Sequence, residues 1–213
     1  MAKHGVYVLE QATSAVTPAT VETGVPMFFG ASPIQNAENP ATPRIPVLCT
    51  TWNEAVAKLG YSDDWDTYPL CEAMYSHFKL FNMSPAIFCN MLDSSTMKSA
   101  VAAADKAVTA KKVALTKTAI PGSVVVKAQG GSGNAYVKDT DYSLYFADEV
   151  LTVELLPDSA HYAENSLNIA YDVVTPASVT ANVVAGGVEA ADLCMSTIGL
   201  IPDMLLAPGY SDK

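Results

Sequence analysis

Five short apolar segments crowd into residues 122–174, and turn-forming residues interrupt each one before it reaches the length of a stable helix. They are Val124-Val125-Val126 and residues 135–138, 142–146, 150–155 and 167–174, rich in valine, tyrosine, phenylalanine and leucine. β-branched and aromatic residues in runs of this length suit a pleated, half-buried surface. Short strands this closely spaced satisfy their backbones by pairing with one another, so the stretch is predicted to form a small barrel or sandwich. The one glycine-dense patch, Gly130-Gly131-Ser132-Gly133-Asn134, fits a hairpin turn inside it. A phosphate loop would need a following Lys-Ser/Thr pair and a helix opening behind it.

The residues before this stretch follow a different pattern. Residues 25–29 form a compact apolar run ending at Gly30, read as a buried strand, and four prolines in 31–46 mark a long surface loop. Strand character resumes over 45–50. Thr51-Trp52-Asn53-Glu54 has the spacing of a capping box ahead of a short helix that Gly60 closes. Leu70, Met74, His77 and Phe81 recur at intervals of three and four, which predicts a second helix over 67–81 with one apolar stripe. Residues 84–92 read as another buried strand ending at Asp93. Strand, helix, helix, strand is the order of an α/β layer, in which a parallel return is expected.

Between these regions, residues 97–110 are alanine-rich and favour helix on propensity, whereas 111–118 alternate with a two-residue period. After Pro176 and Ser178-Val179-Thr180, Gly186-Gly187 lead into a predicted helix over 188–196, and the apolar residues 204–207 precede a Pro208-Gly209-Tyr210 turn. The N-terminal end has a strand-like segment from His4 to Glu10, then a threonine, alanine and proline stretch without helical period. The expected fold class is therefore α/β plus β. Residues 1–22 form an extended N-terminal arm, 23–93 the first part of an α/β core domain, 94–182 a β-rich insertion domain, and 183–213 a return to the core. A layer begun, interrupted and resumed shortly before Lys213 is expected to be part of a longer polypeptide.

Half of the residues are hydrophobic, enough for a real core. The formal charge of −10, with Arg44 the only arginine, supplies no basic stripe for phosphates, so nucleic acid is not an expected partner. No apolar run reaches the roughly 18 residues of a membrane span, and no secretory apolar region follows Met1. A soluble protein made in a cytosol, with no membrane partner, is expected. Cys49, Cys71, Cys89 and Cys194 are widely spaced in apolar surroundings and read as buried thiols, not metal ligands.

Candidate chemistry is sparse. Asp139 and Asp141, like Asp63, Asp64 and Asp66, lack the glycine and distal glutamate of a calcium loop and read as solvated turns. His4 lies in the arm, His77 on an apolar helix face, where a packed core histidine is expected, and His161 in a loop. None adjoins a nucleophile motif. No catalytic residue, cofactor or metal is assigned.

Three separated segments carry a resemblance that covers most of the chain. Met1-Ala2-Lys3-His4-Gly5-Val6-Tyr7-Val8-Leu9-Glu10-Gln11-Ala12-Thr13, followed by Gly24-Val25-Pro26, resembles the start of the phage contractile tail sheath family. Asn90-Met91-Leu92-Asp93 is followed by Tyr136-Val137-Lys138-Asp139-Thr140-Asp141-Tyr142, which is similar to that family's Tyr-Val-x-Gly-x-Asp-Tyr hairpin with aspartate at the glycine position. The third and most specific, Ile198-Gly199-Leu200-Ile201-Pro202-Asp203-Met204-Leu205-Leu206-Ala207-Pro208-Gly209-Tyr210-Ser211, is similar to the family's Gly-Leu-Val-Pro-Gly-Leu-Leu-Leu-Ala-Pro-Gly-Tyr/Phe-Ser.

The resemblance implies a partial subtilisin-like α/β core without a catalytic triad, a β-rich insertion and an extended arm. It also implies extended backbone, not helix, over 97–110. The expected function is a non-enzymatic structural subunit that polymerises helically around a tail tube of a phage or prophage particle and drives the tube by contracting without nucleotide hydrolysis. Its expected location is the virion tail, assembled in the bacterial host cytoplasm. Expected partners are copies of itself and, in the full-length protein, the tail tube protein and the baseplate. Gly5, Val6, Tyr7, Val8, Leu9 and Glu10 are the expected inter-subunit strand. The alternatives are another sheath-like component of a contractile injection or secretion system, and, more distantly, a small α/β ligand-binding domain or enzyme.

Overall fold

The computed structural model describes residues 24–210. Strand β1 (Pro26–Gly30) lies in the middle of a four-stranded sheet with β2 (Val47–Cys49), β3 (Ala86–Asn90) and β10 (Met204–Leu206), in the order β10-β1-β3-β2. β1 pairs in parallel with both β3 and β10, and β2 runs antiparallel along β3. The parallel return expected across the two helices, from β2 to β3, is not formed; the parallel neighbour of β3 is β1. β2, the strand that directly precedes the helices, turns back instead.

Every residue of β3 is buried, as a parallel strand covered on both faces requires. On one face Phe28 and Phe88 meet helices α1 (Trp52–Leu59) and α2 (Pro69–Tyr75) through Ala55, Leu59, Leu70 and Met74. On the other, Met27, Ile87, Cys89 and Met91 meet Val184 of α3 (Ala181–Gly187) and Cys194 of the one-turn α4 (Cys194–Thr197). The alternation of side chains along β1 therefore serves two helical layers.

The local signals around α1 act through named atoms. The Glu54 amide donates to Thr51 Oγ1 at 3.2 Å, and the Glu54 carboxylate reaches back past Thr51 to the Thr50 amide at 2.9 Å. The α2 pattern is only partly realised. Pro69 begins the helix at a position where its missing N–H costs nothing. A wide π-type turn over Ser76–Leu80 then adds a residue to the spiral. Leu70, Met74 and His77 are buried as the stripe predicts, but Phe78 takes the last core position and Phe81 is 66% exposed. The predicted helix over 188–196 begins earlier, at Ala181 behind the Thr180 cap, and tightens to a 3-10 spiral over Val188–Leu193.

The β-rich part consists of two antiparallel three-stranded sheets. One contains β4 (Lys98–Ala107), β9 (Ser166–Val174) and β6 (Val125–Ala128); the other contains β5 (Lys112–Ala114), β8 (Val150–Leu155) and β7 (Tyr142–Ala147). Val126, Leu167, Ile169 and Tyr171 of the first sheet share one apolar cluster with Val113, Tyr142, Leu151 and Val153 of the second. The described residues form a mixed α/β structure with no closed barrel. Residues 135–138, expected as a strand, are irregular, although the Tyr136 amide still donates to the Val126 carbonyl at 2.8 Å.

The alanine-rich stretch is strand, contrary to its helix propensity and in agreement with the family resemblance. β4 pairs with β9 over most of its length, from Lys98 opposite Val174 to Ala107 opposite Ser166. The partner strand, with Leu167, Ile169 and Tyr171 buried, overrides the small intrinsic advantage of alanine for helix.

Candidate assembly surfaces

The six residues expected to form the inter-subunit strand, Gly5, Val6, Tyr7, Val8, Leu9 and Glu10, lie outside the described residues, as does the rest of the arm expected over 1–22. The described residues include the Tyr136–Tyr142 segment and the last segment as far as Tyr210.

In the Tyr136 to Tyr142 segment, Asp139 occupies the position where the family has glycine, and its φ of 64° is left-handed. Aspartate tolerates that conformation better than most residues. Asp141 clamps the turn, with its carboxylate accepting from the Val137 amide at 2.8 Å and from Ser159 Oγ at 2.9 Å. Both tyrosines are buried, and Tyr136 stacks on His161 with ring centroids 3.7 Å apart while its hydroxyl donates to Glu164. His161 Nδ1 also faces Glu164, at 3.2 Å. In the last segment, Asp203 accepts from the Gly24 and Val25 amides at 2.8 and 3.0 Å, so β10 enters the sheet beside β1 in a fixed register.

The chain leaves the α/β layer and returns to it along adjacent strands: Lys98 lies opposite Val174, and the Thr175 amide donates to the Met97 carbonyl at 2.9 Å. A third link is made far away in sequence. β7 and β8 are joined by Asp148-Glu149, both left-handed, with φ of 48° and 64°. That turn geometry suits Asn-Gly, and glutamate there is strained. The Glu149 carboxylate accepts from Ser62 Oγ at 3.0 Å, the Asp63 amide at 3.1 Å and Lys117 Nζ at 2.8 Å. Nearby, Gln35 Nε2 donates to the Lys117 carbonyl at 3.1 Å. The hairpin tip is thereby tied to the 61–64 loop of the α/β part.

Lys117 is 59% exposed, so its charge adds little, and the bonds from buried Ser62 and the Asp63 backbone matter more. Sequence reading missed this tie. The available signal was an Asp-Glu pair filling a two-residue connection between strands, where a glycine or asparagine is normally required.

Burial works to raise the Glu149 pKa, but the hydrogen bonds from Lys117, Asp63 and Ser62 outweigh it, and the carboxyl titrates below the ordinary glutamate value of 4.5. Asp93, held by Ser95, and Asp141, held by the Val137 amide, are likewise depressed. Such groups stabilise the fold fully above their unfolded values, and this contribution is lost as pH falls through the lower folded values. Melting temperature is therefore expected to drop between about pH 5 and pH 3. Thermal scans across that range check this, and a flat profile would contradict it.

A cleft of about 690 Å³ opens between the 65–72 segment, the start of α3 and the Gly209-Tyr210 turn. Trp65, Pro69, Pro176 and Tyr210 line it together with Asp66 and Glu72, and its lining holds no histidine, serine or cysteine. His77 is buried instead against Phe28 and Phe78, and burial pulls its pKa down. All four cysteines are buried and unpaired, and burial pushes the thiols of Cys49, Cys71 and Cys89 up to about 12. Among the described residues no cluster of three or more histidine, cysteine, aspartate or glutamate side chains is placed to hold a metal ion, and no helix is long and apolar enough to cross a membrane.

No family model matches the chain, and no curated protein matches it.

Proposed function

We propose that this chain is part of a structural subunit of a contractile tail sheath, with a partial subtilisin-like α/β core, a β-rich insertion over 94–182 and an arm that joins neighbouring subunits. The observation that carries the reading is the 198–211 segment, whose similarity to the family covers a continuous run of residues. Two structural features support it. Asp139 adopts the left-handed backbone that a family glycine would adopt, and the β-rich part leaves and rejoins the α/β layer along adjacent strands, as an insertion does.

Head-to-tail contacts that do not close generate a helical polymer. Residues 5–10, added as a strand to a neighbour's sheet, would link subunits through main-chain hydrogen bonds that survive rotation of the cores. Contraction then needs no nucleotide if the extended lattice is kinetically trapped and the contracted lattice buries more surface. An extra ~400 Å² of apolar area per subunit corresponds to at most about 10 kcal/mol. In this reading the tail tube and baseplate are the partners of the whole protein, and its place is the virion tail.

Electron microscopy of the full-length protein expressed alone tests the reading. Long hollow cylinders are expected, and they are expected to disappear when residues 1–22 are deleted. A protein that remains monomeric at high concentration and turns over a small substrate overturns it.

A further inference from the structure

His77 is a buried base with one nitrogen left over. It is 8% exposed, and its ring meets those of Phe28 and Phe78 at centroid distances of 6.0 and 5.4 Å. Its Nε2 is closed off from solvent and has no hydrogen-bond partner among the described residues. The Pro85 carbonyl faces the ring and favours an N–H toward it, which falls to Nδ1 because Nε2 is unpartnered. The site therefore holds the neutral tautomer with its proton on Nδ1, and Nε2 is a bare acceptor. A hydrocarbon side chain would fill the same space without an orphaned acceptor, so packing alone gives histidine no advantage here.

A second proton can go only to Nε2. It would place a charge in an apolar pocket and create an N–H with no acceptor. Among the described residues no side chain offsets that charge. β1 and β10 carry no ionisable group. Cys49 of β2, Cys71 of α2 and Cys89 of β3 are thiols that burial pushes up to about 12, so they are neutral wherever His77 titrates. Glu72, Tyr75 and Lys79, on the same spiral as His77, are exposed, and the Lys79 ammonium lies over the Trp52 ring. On α1, Glu54 pairs with Lys58 at 2.6 Å and accepts from the Thr50 amide. Burial accordingly pulls the His77 pKa below the ordinary value of 6.5, with no carboxylate to hold it up.

The turn that holds this ring also holds an apolar tip. The Phe81 amide donates to the Ser76 carbonyl at 3.0 Å and the Met83 amide to the His77 carbonyl at 2.8 Å. The stretch carrying Leu80, Phe81 and Met83, each more than half exposed, thus closes on the π-type turn. Ser84 Oγ adds one bond to the Thr50 carbonyl at 2.8 Å. Wide turns of this kind gather at functional sites, and an element with its own apolar side chains in solvent opens at far less cost than the whole fold.

We infer that His77 is a proton-sensitive latch: the neutral ring fastens the 80–85 connection to the sheet, and protonation releases that connection so that the imidazolium reaches solvent. A base whose proton affinity is lowered by folding stabilises the folded state fully above its unfolded value, and loses that contribution as pH falls through the lower folded value. The latch is therefore closed above about pH 6.5 and opens as pH falls below it. Asp93, Asp141 and Glu149 lose their contributions at lower pH, so the two effects separate. The inference is independent of the sheath reading and of any contact between copies.

Hydrogen exchange of the full chain at about pH 7.5 and about pH 5, corrected for intrinsic rates, tests it. Protection of the Phe81 and Met83 amides is expected to fall at least about tenfold between the two, while the Gly60 amide, which closes α1, keeps its protection. His77→Phe retains an aromatic ring and cannot take up a proton, and its tip is expected to be equally protected at both pH values. A second measurement needs no variant: in the wild type the His77 ring resonances are expected to titrate below 6.5, in step with the Phe81 and Met83 amide resonances.

Wild-type protection that does not change with pH, an equal fall in His77→Phe, or a His77 ring that titrates while the tip amides stay unmoved would each overturn the inference. So would a fall shared equally by the tip and α1, since the proton would then act on the whole fold and there would be no latch.

Discussion

Gly60→Ala is expected to lower the unfolding free energy by about 2 to 6 kcal/mol. Gly60 ends α1 with φ 74° and ψ 173°, a backbone region that is almost exclusive to glycine. Its amide still donates to the Val56 carbonyl at 2.9 Å, so the helix ends in order and the chain then swings away at once. A methyl group at this position would lie 2.1 Å from Asn36 Oδ1 and 2.2 Å from the Pro33 carbonyl oxygen. The second of these atoms is backbone and has no rotamer to escape into. The Asn36 amide is also committed, donating to the Tyr61 carbonyl at 3.0 Å.

The alanine therefore meets both conformational strain and collision, each worth about 1 to 3 kcal/mol. For a domain of this size the sum corresponds to a melting temperature lower by roughly 5 to 15 °C. Gly122→Ala is the control, since Gly122 has open space around it and no left-handed backbone. Thermal unfolding of the two variants decides, and equal melting temperatures would show that the Pro33 to Asn36 turn yields more readily than its packing against Gly60 implies.

Glu149→Gly is the second expected result, and its sign is what matters. Glycine relaxes a left-handed backbone, so if Glu149 were only a turn residue the change would stabilise the protein by about 1 kcal/mol. The carboxylate is also the acceptor for Ser62, Asp63 and Lys117. Removing it strips a buried hydroxyl and a backbone amide of their partner, at about 1 to 3 kcal/mol each before water enters. The net expectation is destabilisation of about 1 to 2 kcal/mol, concentrated where the β7–β8 hairpin meets the 61–64 loop. Amides of that loop should exchange faster, and the β-rich part should move more freely on its two-strand connection. Glu149→Gln, which keeps an acceptor and loses the charge, should fall between the two. Hydrogen exchange read by mass spectrometry measures both effects, and a higher melting temperature for Glu149→Gly would show that no tie exists.

If the chain assembles as proposed, the two results bear on assembly, because each sets the position of one part of the molecule against another. Gly60 seats α1 on the 33–36 turn, and Glu149 seats the β-rich part on the α/β layer. Under the proposed sheath reading, a subunit that passes force through a lattice would need its parts in fixed relation, and the Glu149 hydrogen bonds would hold that relation together with the apolar contact of Val174 and Ile120 on the α/β layer.

Signals carried by neighbouring residues were legible in the sequence. Thr51 and Glu54 mark the start of α1 because the cap involves atoms within one turn, and Gly60 marks its end for the same reason. The predominantly apolar runs at 25–29 and 84–92 became the adjacent parallel strands β1 and β3 because such runs are buried with both faces covered. Tertiary structure decided whatever depended on partners distant in the chain. The alanines of β4 are strand because β9 supplies a ladder, β2 turns antiparallel on β3, and a π-type turn exchanges Phe81 for Phe78 in the core. Glu149 meets Ser62 across 87 positions, a contact that no local pattern encodes because its free energy belongs to the pair and not to either segment.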